Sequence, residues 1–190
     1  MRVGLFFGSF NPIHLGHLAV AEYMAEHTDL DEVWIIVSPH NPLKPVSSLL
    51  PDEDRLAMVK LAINNQPKLK VSDVEFNLPK PSYTIYTILH LKEKYPEHNF
   101  VLIIGEDNLA AFDRWKDHEQ ILKECMVYVY PRSHSEQSTF HFHPKIKLIK
   151  DAPLMDVSAT EIRMGTRNRD DIKELIPAAV WQYVVEKQLF

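Results

Sequence analysis

The sequence predicts an α/β fold, a doubly wound parallel sheet with helices on both faces, and two observations predict it. Short runs that are apolar throughout alternate along the chain with segments of helical periodicity, which is the pattern of strands covered on both faces by helices. Chemically unusual residues then cluster just after those runs, where open α/β sheets bind ligands beyond the carboxyl ends of their strands. With 190 residues, 45% hydrophobic and 25% charged, one domain spanning 1–190 is expected, its last part, about 158–190, being helical.

Each element has its own signal. Val3 to Phe7 is an apolar run closed by Gly8, and the residues after Pro12 take up a helical pattern through Leu18, Ala19, Ala21, Tyr23 and Met24. Glu32 to Ser38 reads as a second strand. Four prolines between Pro39 and Pro51 demand a loop. A helix from Asp52 to about Asn64 is expected next, with Asp52 as its cap. Strands at Lys70–Glu75, Phe100–Ile104, Met126–Tyr130 and Ile146–Ile149 and helices at Thr84–Lys94 and Trp115–Lys123 continue the alternation. Right-handed crossovers make such a chain doubly wound. The polar stretch from Arg132 to His143 suits an exposed excursion, and its His134, His141 and His143 lack the second ligand pair of a metal site.

Charge and cysteine content exclude several classes. A formal net charge of -5 argues against a general nucleic-acid binder, which needs clustered Lys and Arg. Cys125 is the only cysteine, so no intrachain disulfide forms, and its apolar neighbours Met126 to Val129 suggest a buried strand. The run from Val3 to Phe7 is far too short for a membrane span or the apolar core of a signal peptide. A cytoplasmic protein without membrane partners is expected. The sequence neither requires nor excludes a homo-oligomer.

The first loop, Gly8-Ser9-Phe10-Asn11-Pro12-Ile13-His14-Leu15-Gly16-His17, is the chemical centre of the sequence. Gly8 after a strand allows a sharp turn and close approach of an anion to backbone N–H groups. His14 and His17, three apart, share one face if the helix has begun, where the helix N-terminus favours phosphate, and Gly16 leaves that surface uncovered. Imidazoles there can donate to phosphate oxygens and answer charge that grows during transfer. A lone His-x-Gly-His would read as a helix that happens to carry two histidines. Its placement after the first strand favours function.

These residues resemble the nucleotidyltransferases that carry a His/Thr-x-Gly-His signature on a Rossmann-like fold, and Gly8 to His17 is similar to the form found in bacterial nicotinate-nucleotide adenylyltransferases. Val157-Ser158-Ala159-Thr160-Glu161-Ile162-Arg163 resembles a second motif of that family. Its own chemistry is a capping box from Ser158 to Glu161 and an arginine fork suited to phosphate. Gly105 to Trp115 is similar to the family's Gly-x-Asp-x-Leu-x-x-Phe-x-x-Trp, which implies that Asp107 contacts nucleotide hydroxyls or orients substrate and that Trp115 stacks on a pyridine ring. Pro81-Ser82-Tyr83-Thr84 resembles a helix start whose N–H groups hold a carboxylate, pointing to nicotinate rather than nicotinamide. Pro39-His40-Asn41-Pro42-Leu43-Lys44 departs from the family's Pro-Pro-His-Lys, leaving Lys44 as a phosphate contact and His40 without a role.

The resemblance implies adenylyl transfer from ATP, with Mg²⁺, to nicotinate mononucleotide. His17 is expected at the α-phosphate, and His14 and Arg163 at the polyphosphate. Gly8, Ser9, Phe10, Gly16, Lys44, Gly105, Asp107, Arg132, Ser158 and Thr160 are expected around ATP. Ser82, Tyr83, Thr84 and Trp115 are expected around the pyridine nucleotide. The acceptor's own phosphate is the nucleophile, so no covalent enzyme intermediate is needed. Rival readings are a phosphopantetheine adenylyltransferase or cytidylyltransferase of the same superfamily, a nucleotide-binding sensor without turnover, and a metal-binding scaffold.

Overall fold

The computed structural model describes residues 1–40, 49–133, 138–154, 157–164 and 169–189, with Arg169 and Asp170 described by backbone alone. Six strands, β1 (Arg2–Gly8), β2 (Glu32–Val37), β3 (Leu69–Ser72), β4 (Asn99–Gly105), β5 (Met126–Tyr130) and β6 (Ile146–Leu148), form one sheet in the order β3-β2-β1-β4-β5-β6. Every neighbouring pair is parallel; Leu5 on β1, for example, is in register with Trp34 on β2 and Leu102 on β4. This is the Rossmann-like order, in which the winding reverses between β1 and β4 and opens a crevice at their carboxyl ends.

The central strands are almost wholly apolar because both faces are covered, whereas the edge strands β3 and β6 carry the exposed Lys70 and Lys147. On β4, Phe100, Leu102 and Ile104 point into one core and Val101 and Ile103 into the other. Each such side chain, fully removed from water, contributes about 1.5–3 kcal/mol. The Val101 face is covered by α1 (Leu15–His27), α2 (Asp52–Ala62) and the chain's last helices, α6 (Ala159–Met164), α7 (Arg169–Leu175) and α8 (Ala178–Lys187). The Phe100 face is covered by α3 (Thr84–Lys94), α4 (Glu106–Ala110) and α5 (His118–Glu124). Among the described residues no helix is long and apolar enough to cross a membrane.

Three expectations are corrected. Pro51, not Asp52, occupies the cap position of α2, with no side-chain cap; the Asp52 carboxylate pairs with Arg55 instead. The third strand ends at Ser72, and Val74–Asn77 is a turn of 3-10 helix. The helix expected from Trp115 starts at His118, because Asp117 adopts a left-handed conformation (φ 52°) that separates it from the preceding turn. As expected, Cys125 is buried beside the strand formed by its neighbours, β5; it ends α5, and burial pushes its thiol up to about 11.

Candidate active site

At the end of β1 the chain turns sharply at Phe10, whose φ of 45° is left-handed. That turn folds the Phe10 ring back over Gly8, where a Cβ would sit 2.8 Å from the ring. Glycine is thus required at residue 8 by close approach, whereas the turn itself is made two residues later. From below, the fully buried Arg55 of α2 holds this loop. Its guanidinium donates to the carbonyls of Ser9 (2.6 Å), Ser38 (2.8 Å) and Leu50 (3.1 Å) and pairs with Asp52. One side chain therefore ties together the chain leaving β1, the chain leaving β2 and the approach to α2.

His14 and His17 begin α1 as a reciprocal cap. The backbone N–H of His17 donates to His14 Nδ1 and that of His14 to His17 Nδ1, each at 3.3 Å. The rings stack with centroids 3.6 Å apart. An Nδ1 that accepts in a neutral imidazole leaves the proton on Nε2, so each neutral ring offers an Nε2–H donor. His14 is held neutral: burial first, and the nearby Arg132 charge second, lower its pKa to about 4. The sequence put both histidines on one helix face only if the helix had already begun at His14. The structure makes His14 the extended residue before it, and this is what lets the rings stack.

Two cavities open at the crevice. The larger, about 910 Å³, is lined by Gly8, Ser9, Phe10, His14, Gly16, His17, Asp107, Arg132, Ser158, Thr160 and Arg163. Arg163 reaches back from α6 to donate to the Asn11 carbonyl (2.7 Å) and to Thr160 Oγ1 (3.3 Å), joining the two ends of the chain at one wall. Ser158 and Glu161 form the reciprocal cap that their spacing predicts, with Glu161 N–H donating to Ser158 Oγ (3.1 Å) and Ser158 N–H to Glu161 Oε2 (3.4 Å). Across the cavity Arg132 lies 3.8 Å from Asp107. Gly105 is the close-approach point there, since a Cβ would meet Asp107, Arg132 and Tyr130.

The smaller cavity, about 300 Å³, is lined by Ser82, Tyr83, Thr84, Trp115, Gly105 and Glu75, among others, and shares Phe6, Phe7, Gly8, Asn108 and Tyr130 with the first. The two spaces are neighbours across the end of β1. Helix α3 starts at its wall with no side-chain cap on its first turn, so its positive end is available to an anion. Trp115 packs on Phe112 (centroids 5.4 Å) and presents its half-buried indole to the cavity.

The structure therefore brings sixteen of the seventeen residues expected to act onto two adjoining walls. The remaining one, Lys44, lies outside the described residues. His40 acts through its backbone, its carbonyl accepting from Ser82 N–H (3.0 Å). In the histidine-rich stretch, His134 also lies outside the described residues; His141 Nε2 stands 3.9 Å from Glu106, and His143 Nδ1 accepts from Lys145 N–H. Sequence reasoning missed Arg55, Asn11 and Glu75. Asn11 sits inside the first motif, and its Oδ1 accepts from Leu50 N–H (3.1 Å). Arg55 and Glu75 carry no local signal, because a lone charged residue in a short segment ordinarily reads as exposed.

Comparison with known proteins agrees with this geometry. A family model described as cytidylyltransferase-like matches residues 5–165. Proteins of Cytophaga hutchinsonii (51% identical over 190 residues, covering 100% of this chain and 98% of theirs) and Flavobacterium johnsoniae (50% over 186 residues, 97% and 96%) both carry the name probable nicotinate-nucleotide adenylyltransferase. Among solved structures, the nicotinic acid mononucleotide adenylyltransferase of Plasmodium falciparum, complexed with NaAD, superposes with a TM-score of 0.83 at 22% identity, covering 99% of this chain and 96% of that one; at that identity the likeness speaks for the fold. Identity of one half over nearly the whole length places the chain more narrowly than the fold does: it belongs to the nicotinate-nucleotide adenylyltransferase family of nucleotidyltransferases.

Proposed function

We propose that the chain transfers the adenylyl group of ATP to nicotinate mononucleotide, releasing pyrophosphate and forming nicotinate adenine dinucleotide, as an enzyme of NAD biosynthesis in the cytoplasm. The observation that carries this reading is the pair of adjoining cavities: one holds the stacked histidines and Arg163, the other the aromatic plane of Trp115 and the uncapped start of α3. ATP occupies the first and the pyridine nucleotide the second. The acceptor's phosphate oxygen then meets the α-phosphorus near the shared wall at Gly8 and Asn108.

In that arrangement a phosphate oxygen of the acceptor forms a bond to the α-phosphorus as the bond to the β-phosphate oxygen breaks, and pyrophosphate carries away the electron pair. His17 donates through Nε2–H to the α-phosphate, where negative charge is rearranged. His14 and Arg163 hold the β- and γ-phosphates, with the helix start at Ser158 and Thr160 beside them. Asp107 contacts the nucleotide hydroxyls while Arg132 passes from its carboxylate to the phosphates. Alignment and fixed donors supply the catalysis. Among the described residues no three His, Cys, Asp or Glu side chains converge as metal ligands. Mg²⁺ accordingly belongs with the triphosphate as part of the substrate, where it neutralises the leaving pyrophosphate.

The test is ATP-dependent pyrophosphate release with nicotinate mononucleotide, nicotinamide mononucleotide and phosphopantetheine as acceptors. The nicotinate nucleotide is expected to be turned over fastest; preference for phosphopantetheine, or no release with any acceptor, would sink the reading. His17→Ala should lose at least ~10²-fold in kcat, the usual loss for one preorganised donor. A near-normal kcat would remove His17 from the reaction.

A further inference from the structure

Three buried side-chain atoms, Glu75 Oε2, Ser82 Oγ and Trp115 Nε1, have no partner within the described residues, and all three residues line the smaller cavity. Buried polar atoms rarely stay unsatisfied, so a cluster of them at one cavity marks where a polar ligand group is received. Glu75 is the unexpected member. It is 1% exposed, and its direct neighbours are hydroxyls: Thr87 donates to Oε1 at 2.7 Å, with Ser38 and Ser82 close by. Arg114, Lys116, Tyr83 and Tyr130 are the other titratable groups on the same cavity, and His40 approaches Ser82 through its carbonyl.

We infer that Glu75 is a further specificity-determining residue, a carboxylic acid whose O–H donates to the acceptor's pyridine carboxylate from the wall of the smaller cavity. The inference rests on the function proposed above. A carboxylate has only acceptors to offer and so needs donors around it. Ser82 O–H, Trp115 N–H and the α3 start provide them. Glu75 joins them only while protonated, a state that burial favours and the hydroxyls of Thr87, Ser38 and Ser82 oppose. An ionised Glu75 would instead repel the acid and welcome the N–H₂ of a carboxamide. A buried carboxylic acid kept neutral as a donor is a known solution in other sites.

The experiment is steady-state kinetics of pyrophosphate release with nicotinate and nicotinamide mononucleotides for the wild type, Glu75→Gln, Glu75→Ala and Glu75→Met, with thermal melting of each. Glu75→Gln, a neutral donor of the same shape, should hold the nicotinate KM within about threefold of wild type. Glu75→Ala and Glu75→Met should raise that KM by about tenfold or more, the usual effect of losing one hydrogen bond to a charged group, with kcat and the nicotinamide KM little changed. Should Glu75→Ala fail to fold, the volume-filling Glu75→Met carries the comparison. The inference is overturned if Glu75→Gln loses as much as the other two, if it gains tenfold for nicotinate, or if the apolar variants weaken both acceptors alike. Failure of the underlying reading looks different: the wild type itself would release no pyrophosphate with either pyridine nucleotide.

Discussion

His14 is a helix cap that the proposed function also makes a substrate donor, and its pKa shows the tension between the two. In the folded protein the ring protonates only near pH 4, against 6.5 when unfolded. The unfolded chain therefore takes up the proton first. Stability is level above about pH 6.5 and falls as the pH drops from there to about 4, by an amount on the order of 3 kcal/mol. His14→Asn, which keeps a capping side chain without a titrating ring, should flatten this part of the melting temperature profile between pH 4 and 7. An unchanged acid slope in the variant would place the effect elsewhere. The candidate site residues of the first loop were legible because a glycine, a proline and two histidines follow an apolar run. Glu75 was not: its burial is decided by Thr87, twelve residues away and on another helix.

At the scale of elements, α2 shows how much of the site depends on a side chain that never meets substrate. Arg55 follows Asp52, Glu53 and Asp54, and from sequence it reads as part of a solvated, acidic helix start. Folding turns it inward, where carbonyls of three separate segments accept from it. Arg55→Leu should cost about 3–5 kcal/mol, the usual penalty for breaking a buried charged network. Denaturant unfolding would measure it, and a loss under 1 kcal/mol would show that water replaces the guanidinium. The boundary errors have the same origin. Val74–Asn77 has the composition of a strand, but Glu75 must reach Thr87 on α3, so the segment leaves the sheet. Trp115 has the look of a helix residue, but it lines the cavity instead, and α5 waits for the left-handed Asp117. Strand cores, buried on both sides, were legible because apolar runs leave no alternative.

At the scale of the molecule, the bond from Arg163 to Asn11 spans 152 residues and makes the last helices part of the first loop's wall. Arg163→Ala should raise the KM for ATP and lower kcat, and should speed hydrogen exchange in 157–164 relative to the sheet. Kinetic loss with unchanged exchange would mean that the arginine acts on phosphate alone. Doubly wound topology was readable from the alternation of elements, while the order of strands and the meeting of chain ends depend on long-range packing that no local pattern reports.

Two cavities that share the end of β1 also bear on what happens after the bond is made. On the proposed function each substrate fills one of them, but a dinucleotide would span both and remain attached by either half while the other lets go. In effect the product is a two-headed ligand held at high local concentration. Its departure then requires both grips to open together, which makes retention, rather than capture of ATP or the acceptor, the burden that this geometry imposes on turnover.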